Sequence, residues 1–461
     1  MRILIVTAVA VGFAVMGCGA AEKTSSAAPA SGSTAAVDST ASSPPAPEVA
    51  VAVGAVAEAR KEDLAMSPDA RGFYNDGVKA VSTGDLDLAQ RQFQRAVDAD
   101  RSAYQAIYNL GVVAERRGED EAARKFYLQA LEKKRDYVLA LSALNGLYLR
   151  LRRPAEAVDF SRTAAEQFSK DIDILCVYAD ALIGDGRYID AIDVAKKALR
   201  IDERSAAAML RIGKANLKMG RRELAASVLD QVIAINPDLA QAYFLQGLMA
   251  LEEGNAQLAM TRFESALQKN PYYVEALNNL AVQYTLAGNY APAIEQLNRA
   301  IAISPSWPVL HMNLGNALRG SGQWQEALDA LNRAAERDPA LHGVLFNLGV
   351  LYYAADQFGD LDRLGRLKKS QEYFAAYKQG MGYKMKAGDE SDKYLKELTV
   401  LIERETVRIE RMKEAEKQEA ERLAREQAAA EATATAGESG NADAPSTPAE
   451  GEAGWEDEGW E

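Results

Sequence analysis

Cysteine and histidine are nearly missing from this chain of 461 residues, with two of each. Two cysteines exclude a disulfide scaffold. Because Cys18 and Cys176 stand far apart, no zinc-ligand spacing forms with His311 or His342. Metal chemistry and nucleophile–histidine catalysis therefore have almost nothing to work with, and the sequence reads as a non-enzyme with no cofactor. Gly184-Asp185-Gly186 lacks the preceding strand and the glycine spacing that a phosphate-binding loop requires. Basic charge is also short. The formal net charge of −13 speaks against a nucleic-acid partner. Its distribution says more: residues 431–461 hold nine acids and no base, which leaves about −4 for everything before them. With apolar residues at 48% and charged residues at 26%, the chain is too polar for a multispanning membrane protein.

A long apolar run opens the chain. Arg2 followed by Ile3–Met16 has the charge and the length of a secretory signal, and it is too short to span a bilayer comfortably. The run closes on Val15-Met16-Gly17-Cys18, which resembles the lipobox of bacterial lipoproteins. That resemblance implies removal of residues 1–17 and acylation of Cys18 as the new N-terminus. Gly19 stands where the sorting rule of Gram-negative lipoproteins looks for a retaining aspartate. Its absence implies the outer membrane, facing the periplasm, or the cell membrane in an organism without an outer one. Residues 18–60, dominated by Ala, Ser, Thr and Pro at their start, read as a disordered tether.

The body repeats. Sliding the sequence against itself by 34 residues aligns Ala89, Ala123, Ala157, Ala191, Ala225, Ala259, Ala293 and Ala327 without a gap. Twelve residues before the alanine position, the ninth unit included, lie Gly77, Gly111, Gly213, Gly247, Gly315 and Gly349, with Asn145, Ala179 and Ala281 in the remaining places. Small residues at this interval mark where two antiparallel helices cross closely. A second series, Gly84, Gly118, Gly186, Gly220, Gly254, Gly288 and Gly322, suits the left-handed turn that ends a helix, and Arg152 alone interrupts it. Pro237, Pro271, Pro305 and Pro339 fall between repeats, where a helix must stop.

The 34-residue period, with Tyr108-Asn109-Leu110-Gly111, Asn313-Leu314-Gly315 and Phe346-Asn347-Leu348-Gly349 in register, resembles the tetratricopeptide repeat family. The resemblance implies an all-α, right-handed solenoid of helix hairpins, with eight repeats over residues 70–341. An atypical ninth unit follows over 342–379, where Asp356 and Leu361 replace the expected Gly and Ala. Residues 389–430 read as a capping and then projecting charged helix, with Leu395, Leu398, Ile402, Ile409 and Met412 forming its packing stripe. Residues 431–461 read as a disordered acidic tail.

In this family positions 2, 5, 6, 9, 12 and 13 of each repeat face a concave groove that holds peptides or helices. That rule places Asn75, Asn109, Asn279, Asn313 and Asn347 in the groove, with Asn278 and Asn316 beside them. An asparagine amide offers a donor and an acceptor to a peptide backbone; it also bonds water or a neighbouring turn equally well. Tyr74, Tyr108, Phe244 and Phe346 read either as stacking platforms for a ligand or as core. Cys176 reads as a small hydrophobe, and His311 and His342 as ordinary histidines on successive helices. The duplicated Gly-Trp-Glu around Trp455 and Trp460 reads as a short docking motif or as an unconstrained terminus.

Together these features imply a membrane-anchored scaffold that binds envelope proteins through the groove and through the tail. The layout also looks like that of tetratricopeptide lipoproteins in the myxobacterial gliding machinery. A peptidoglycan- or glycan-binding module is the alternative.

Overall fold

A computed structural model of the protein describes residues 66–356, 358–382 and 388–438, with side chains to residue 431. The signal segment, Cys18, the tether, and the tail with Trp455 and Trp460 lie outside the described residues. Among the described residues there are helices and no strand, only a single bridge between Phe358 and Leu361. Nine hairpins follow one another, each with a first and a second helix. The first four are α1 (Pro68–Ser82) with α2 (Leu86–Ala99), α3 (Tyr104–Arg117) with α4 (Asp120–Lys133), α5 (Val138–Arg150) with α6 (Pro154–Gln167), and α7 (Ile172–Gly184) with α8 (Tyr188–Leu199). The next four are α9 (Ala206–Lys218) with α10 (Arg222–Ile235), α11 (Ala240–Glu252) with α12 (Ala256–Lys269), α13 (Val274–Leu286) with α14 (Tyr290–Ile303), and α15 (Pro308–Gly320) with α16 (Trp324–Arg337). The ninth pairs α17 (Gly343–Ala354) with α18 (Arg363–Met381), and α19 (Glu390–Glu438) ends the described chain.

Each second helix is amphipathic by the same device. Ala89, Phe93 and Ala96 in α2 are buried at spacings of four and three, which places them on one stripe, and Ala259, Phe263 and Ala266 repeat the pattern in α12. The hairpin turn between the two helices needs a residue in the left-handed region. Gly118 supplies it with φ 78° and Gly254 with φ 75°, at little steric cost. Arg152, in register with them, is forced into the same region with φ 59°. Some helix starts are capped by side chains that accept from the first turn: Ser67 from Ala70 N, Asp85 from Leu88 N, Asp171 from Ile174 N and Asn255 from Leu258 N. Between repeats an Asp or Asn accepts from the amide two residues on, as Asp100 does from Ser102, Asn236 from Asp238 and Asn270 from Tyr272.

Small residues at the helix crossing face a large side chain sixteen places later. A Cβ at Gly111 would lie 2.5 Å from the Tyr127 ring, and one at Gly77 2.6 Å from the Phe93 ring. The glycine thus admits an aromatic ring whose burial is worth about 1.5–3 kcal/mol. In the ninth hairpin the partner of Gly349 is Phe374, displaced along the chain by the 355–362 connection and reached by a longer α18.

Neighbouring first helices touch one another, as α5 with α7, α7 with α9 and α13 with α15 do, whereas the second helices make their contacts with first helices. First helices therefore line the inner, concave side. The curvature brings distant repeats together. Gly118, in the turn between α3 and α4, lies beside Ser306 and Arg337; a Cβ there would be 3.6 Å from Arg337 Nη1.

Early in α19 the helix packs on the ninth hairpin, with Leu398 fully buried and Tyr394, Leu395 and Ile402 against Val350, Leu367 and Phe374. The sequence stripe extended this packing to Met412. That residue is instead 48% exposed, because by there the helix has run past the hairpin and nothing remains to cover it. From Lys413 to Glu431 every residue is exposed.

Candidate functional site

The concave wall is built from side chains that the repeat register points inward, and its polar density is highest on α13 and α15. Asn278, Asn313, Asn316 and Asn347 are all buried, at 9% exposure or less. Asn313 Nδ2 donates to Asn278 Oδ1 over 2.8 Å, linking two adjacent first helices. Three polar atoms of this set have no protein partner: Asn313 Oδ1, Asn316 Oδ1 and Arg319 Nε. Burial holds the Arg319 guanidinium below its usual range. Two acceptors and a donor on one wall can take up an N–H, a second N–H and a C=O of an extended chain.

The remaining sequence-chosen asparagines do not join this set. Asn279 is half-buried and donates to the Glu275 carbonyl of its own helix over 2.7 Å. Asn109 is half-buried and hydrogen-bonded to the Tyr74 hydroxyl, and Asn75 is exposed. The groove aromatics resolve toward the core. Tyr74, Tyr108 and Phe244 are buried, each 5.6–5.7 Å from the ring on its second helix, Phe93, Tyr127 or Phe263. Phe346 packs on Phe374 and Tyr377 at 5.3 Å. Most of the area of these rings is packed inside the hairpins, with Phe346 half-buried.

Three isolated residues have ordinary surroundings. Cys176 is 2% exposed, and burial pushes its thiol up to about 11, which leaves it inert at neutral pH. His311 is buried, with Nε2 2.8 Å from the Pro305 carbonyl and Nδ1 unpartnered. Burial lowers its pKa, and Arg337 and Arg333 add to that. His342 lies against Gly380 instead, so the two histidines serve different contacts.

Sequence reasoning missed a charged cluster further back along the same wall. Asp180 of α7 is held by Arg211 Nη2 at 2.8 Å and Lys214 Nζ at 2.9 Å, both from α9. Burial works against the Asp180 carboxylate, but Arg211 and Lys214 outweigh it and hold it down to about 2. The signal was available: Asp180 and Lys214 occupy the same register position one period apart. Among the described residues no group of His, Cys, Asp and Glu could hold a metal ion, and no helix is long and apolar enough to cross a membrane.

Comparison with known proteins adds a family. Models described as tetratricopeptide repeat match residues 74–138, 182–248, 250–315 and 308–341. No curated protein matches the chain. Among solved structures, the MamA protein is 25% identical over 36% of this chain and 92% of its own, with a TM-score of 0.30. The APC/C hetero-tetramer Cut9-Hcn1 supplies a chain that is 12% identical over 73% of this chain and 77% of its own, with a TM-score of 0.48. TTC0263, a tetratricopeptide protein of Thermus thermophilus, is 23% identical over 39% of this chain and 98% of its own, with a TM-score of 0.34. Likeness at those scores supports nothing about ligands.

Proposed function

We propose that this chain, which belongs to the tetratricopeptide-repeat family, is a non-catalytic, lipid-anchored scaffold of the bacterial envelope. It is anchored through Cys18 in the outer membrane, faces the periplasm, and binds proteins or peptides along its concave wall. Such binding would assemble or support an envelope machine of the gliding, pilus or outer-membrane-assembly kind. Family membership carries the coarser half of this reading, a protein–protein interaction scaffold. The observation that favours a backbone-binding groove is the buried polar set on α13 and α15, with Asn313 Oδ1, Asn316 Oδ1 and Arg319 Nε unpartnered. Leaving such groups unmet costs on the order of 1–3 kcal/mol each, which a ligand amide would recover. The anchor rests on Val15-Met16-Gly17-Cys18 at the end of an apolar run.

Crosslinking in intact cells followed by identification of the captured proteins tests the groove. Asn313→Ala with Asn316→Ala should cost about 1–3 kcal/mol of partner affinity while the melting temperature stays nearly unchanged. Capture undiminished by the double substitution would remove these residues from the binding surface. Separately, Cys18→Ala should abolish fatty-acid labelling and detergent partitioning; equal partitioning of the variant would sink the anchor. Attachment needs more than one acyl chain, since a single one holds only marginally.

A further inference from the structure

Where the solenoid curls back on itself, a cavity of about 310 Å³ opens between repeats that are remote in sequence. One wall is α3 from Tyr108 to Arg116 with the neighbouring ring of α4, contributing Tyr108, Glu115, Arg116 and Tyr127. The other is a pair of inter-repeat turns some 150 residues later, contributing Asn270, Ser304 and Ser306. Arg116 is 7% exposed, and its Nη2 has no hydrogen-bond partner. Glu115 lies close enough for its charge to favour the guanidinium, but its hydrogen bonds go elsewhere: Oε1 accepts from Arg150 at 2.9 Å and Oε2 from the Tyr127 hydroxyl at 2.6 Å. Arg150 is shared between Glu115 and Asp120, and Arg337 approaches the same region beside Gly118.

A buried guanidinium nitrogen left without an acceptor is costly, and an anionic ligand would supply the missing hydrogen bond. Here burial is strong enough to lower Arg116 to about 10. Glu115 also lines the cavity, its charge met by Arg150, while the polar groups of the far wall suit an oxyanion. Ser304 and Ser306 offer hydroxyl donors and Asn270 an amide nitrogen, its Oδ1 accepting from Tyr272 N. A volume near 310 Å³ is at the lower bound for small-molecule sites and fits one short carboxylate-bearing group.

The geometry points to a carboxylate-binding site centred on Arg116, in which the ligand joins the second repeat to the turns that follow the sixth and seventh. This site is separate from the asparagine wall and stands whether or not that wall binds peptide. The carboxylate comes either from a free small dicarboxylate or from an acidic side chain of a bound peptide.

Calorimetric titration of the full chain with glutarate, and separately with an acidic hexapeptide, tests the site. Wild type should bind at least one probe, and Arg116→Gln should weaken that binding tenfold or more, whereas Asn279→Ala should leave it unchanged. Binding of glutarate assigns a free ligand; binding of the peptide alone assigns a partner side chain. Amide exchange at residues 112–118 and at 303–306 should slow together when the probe is bound, because both walls touch it. Without ligand, Arg116→Met should melt at or above the wild-type temperature. Failure of both probes, equal affinity in Arg116→Gln, or a lower melting temperature in Arg116→Met would overturn the assignment.

Discussion

Single positions carry the strain and the relief of this molecule. Arg152 is the residue in which an L side chain holds the turn that glycine holds in seven other repeats. The left-handed region costs a non-glycine residue about 1–2 kcal/mol, partly offset by the greater unfolded-state freedom of glycine. Arg152→Gly should therefore stabilise the chain by about 1 kcal/mol, read as a raised denaturation midpoint with an unchanged slope. No gain would mean that the Arg152 side chain makes a compensating contact. The interruption at Arg152 was visible in the sequence, because a register with seven glycines exposes the eighth place. The fate of the asparagines was not. Asn279 and Asn313 occupy the same register position, yet one bonds its own helix and the other its neighbour across the wall, a choice made by the side chain at Asn278 rather than by spacing. The cavity around Arg116 was equally hidden, since its two walls are brought together by accumulated curvature that no local pattern records.

At the scale of the hairpin, small and large residues trade places across one crossing. Gly77, Gly111, Gly213 and Gly247 face Phe93, Tyr127, Leu229 and Phe263. Where the first position is Asn145 or Ala179, the partner sixteen residues on shrinks to Ser161 or Ala195. Asn145 Oδ1 and Ser161 Oγ are both buried without partners, so the third hairpin has a polar crossing where its neighbours have a ring. Ser161→Phe alone should be destabilising by about 1–3 kcal/mol, because the ring meets the asparagine side chain. Adding Asn145→Gly should rescue it, with a coupling energy of about 1 kcal/mol or more in a double-mutant cycle by urea denaturation. Additive effects would mean that the two residues do not share the crossing. The exchange was legible in the sequence as two linked columns. Reading only the alanine and glycine columns recovered the helix pairs and the period, and overlooked what the glycines make room for. Beyond Ile409 the α19 stripe failed as a guide for a different reason: periodicity tells which face of a helix is apolar, and only the length of the neighbour tells how far that face is covered.

The whole molecule differs from a simple stack. In a chain of repeats that touch only their neighbours, stability is a sum of terms from single units and from adjacent interfaces. Here the second repeat also lies against the turns after the sixth and seventh and beside Arg337 of the eighth. That contact adds a closure to an otherwise linear set of interfaces, so the second to eighth repeats should open together under denaturant while α1 and α2 exchange their amides sooner. Graded loss of the central repeats, one after another, would mean that the closure contributes no cooperativity. In an open solenoid the number of units is free to drift, because a repeat inserted or removed in register leaves every surviving interface intact. Around Arg116 it is not free: one unit more or fewer between α3 and the Ser304 turn would rotate the far wall away from the near one. The gene for such a protein can lengthen or shorten at its ends by whole repeats, but between the second and seventh its copy number is fixed by geometry.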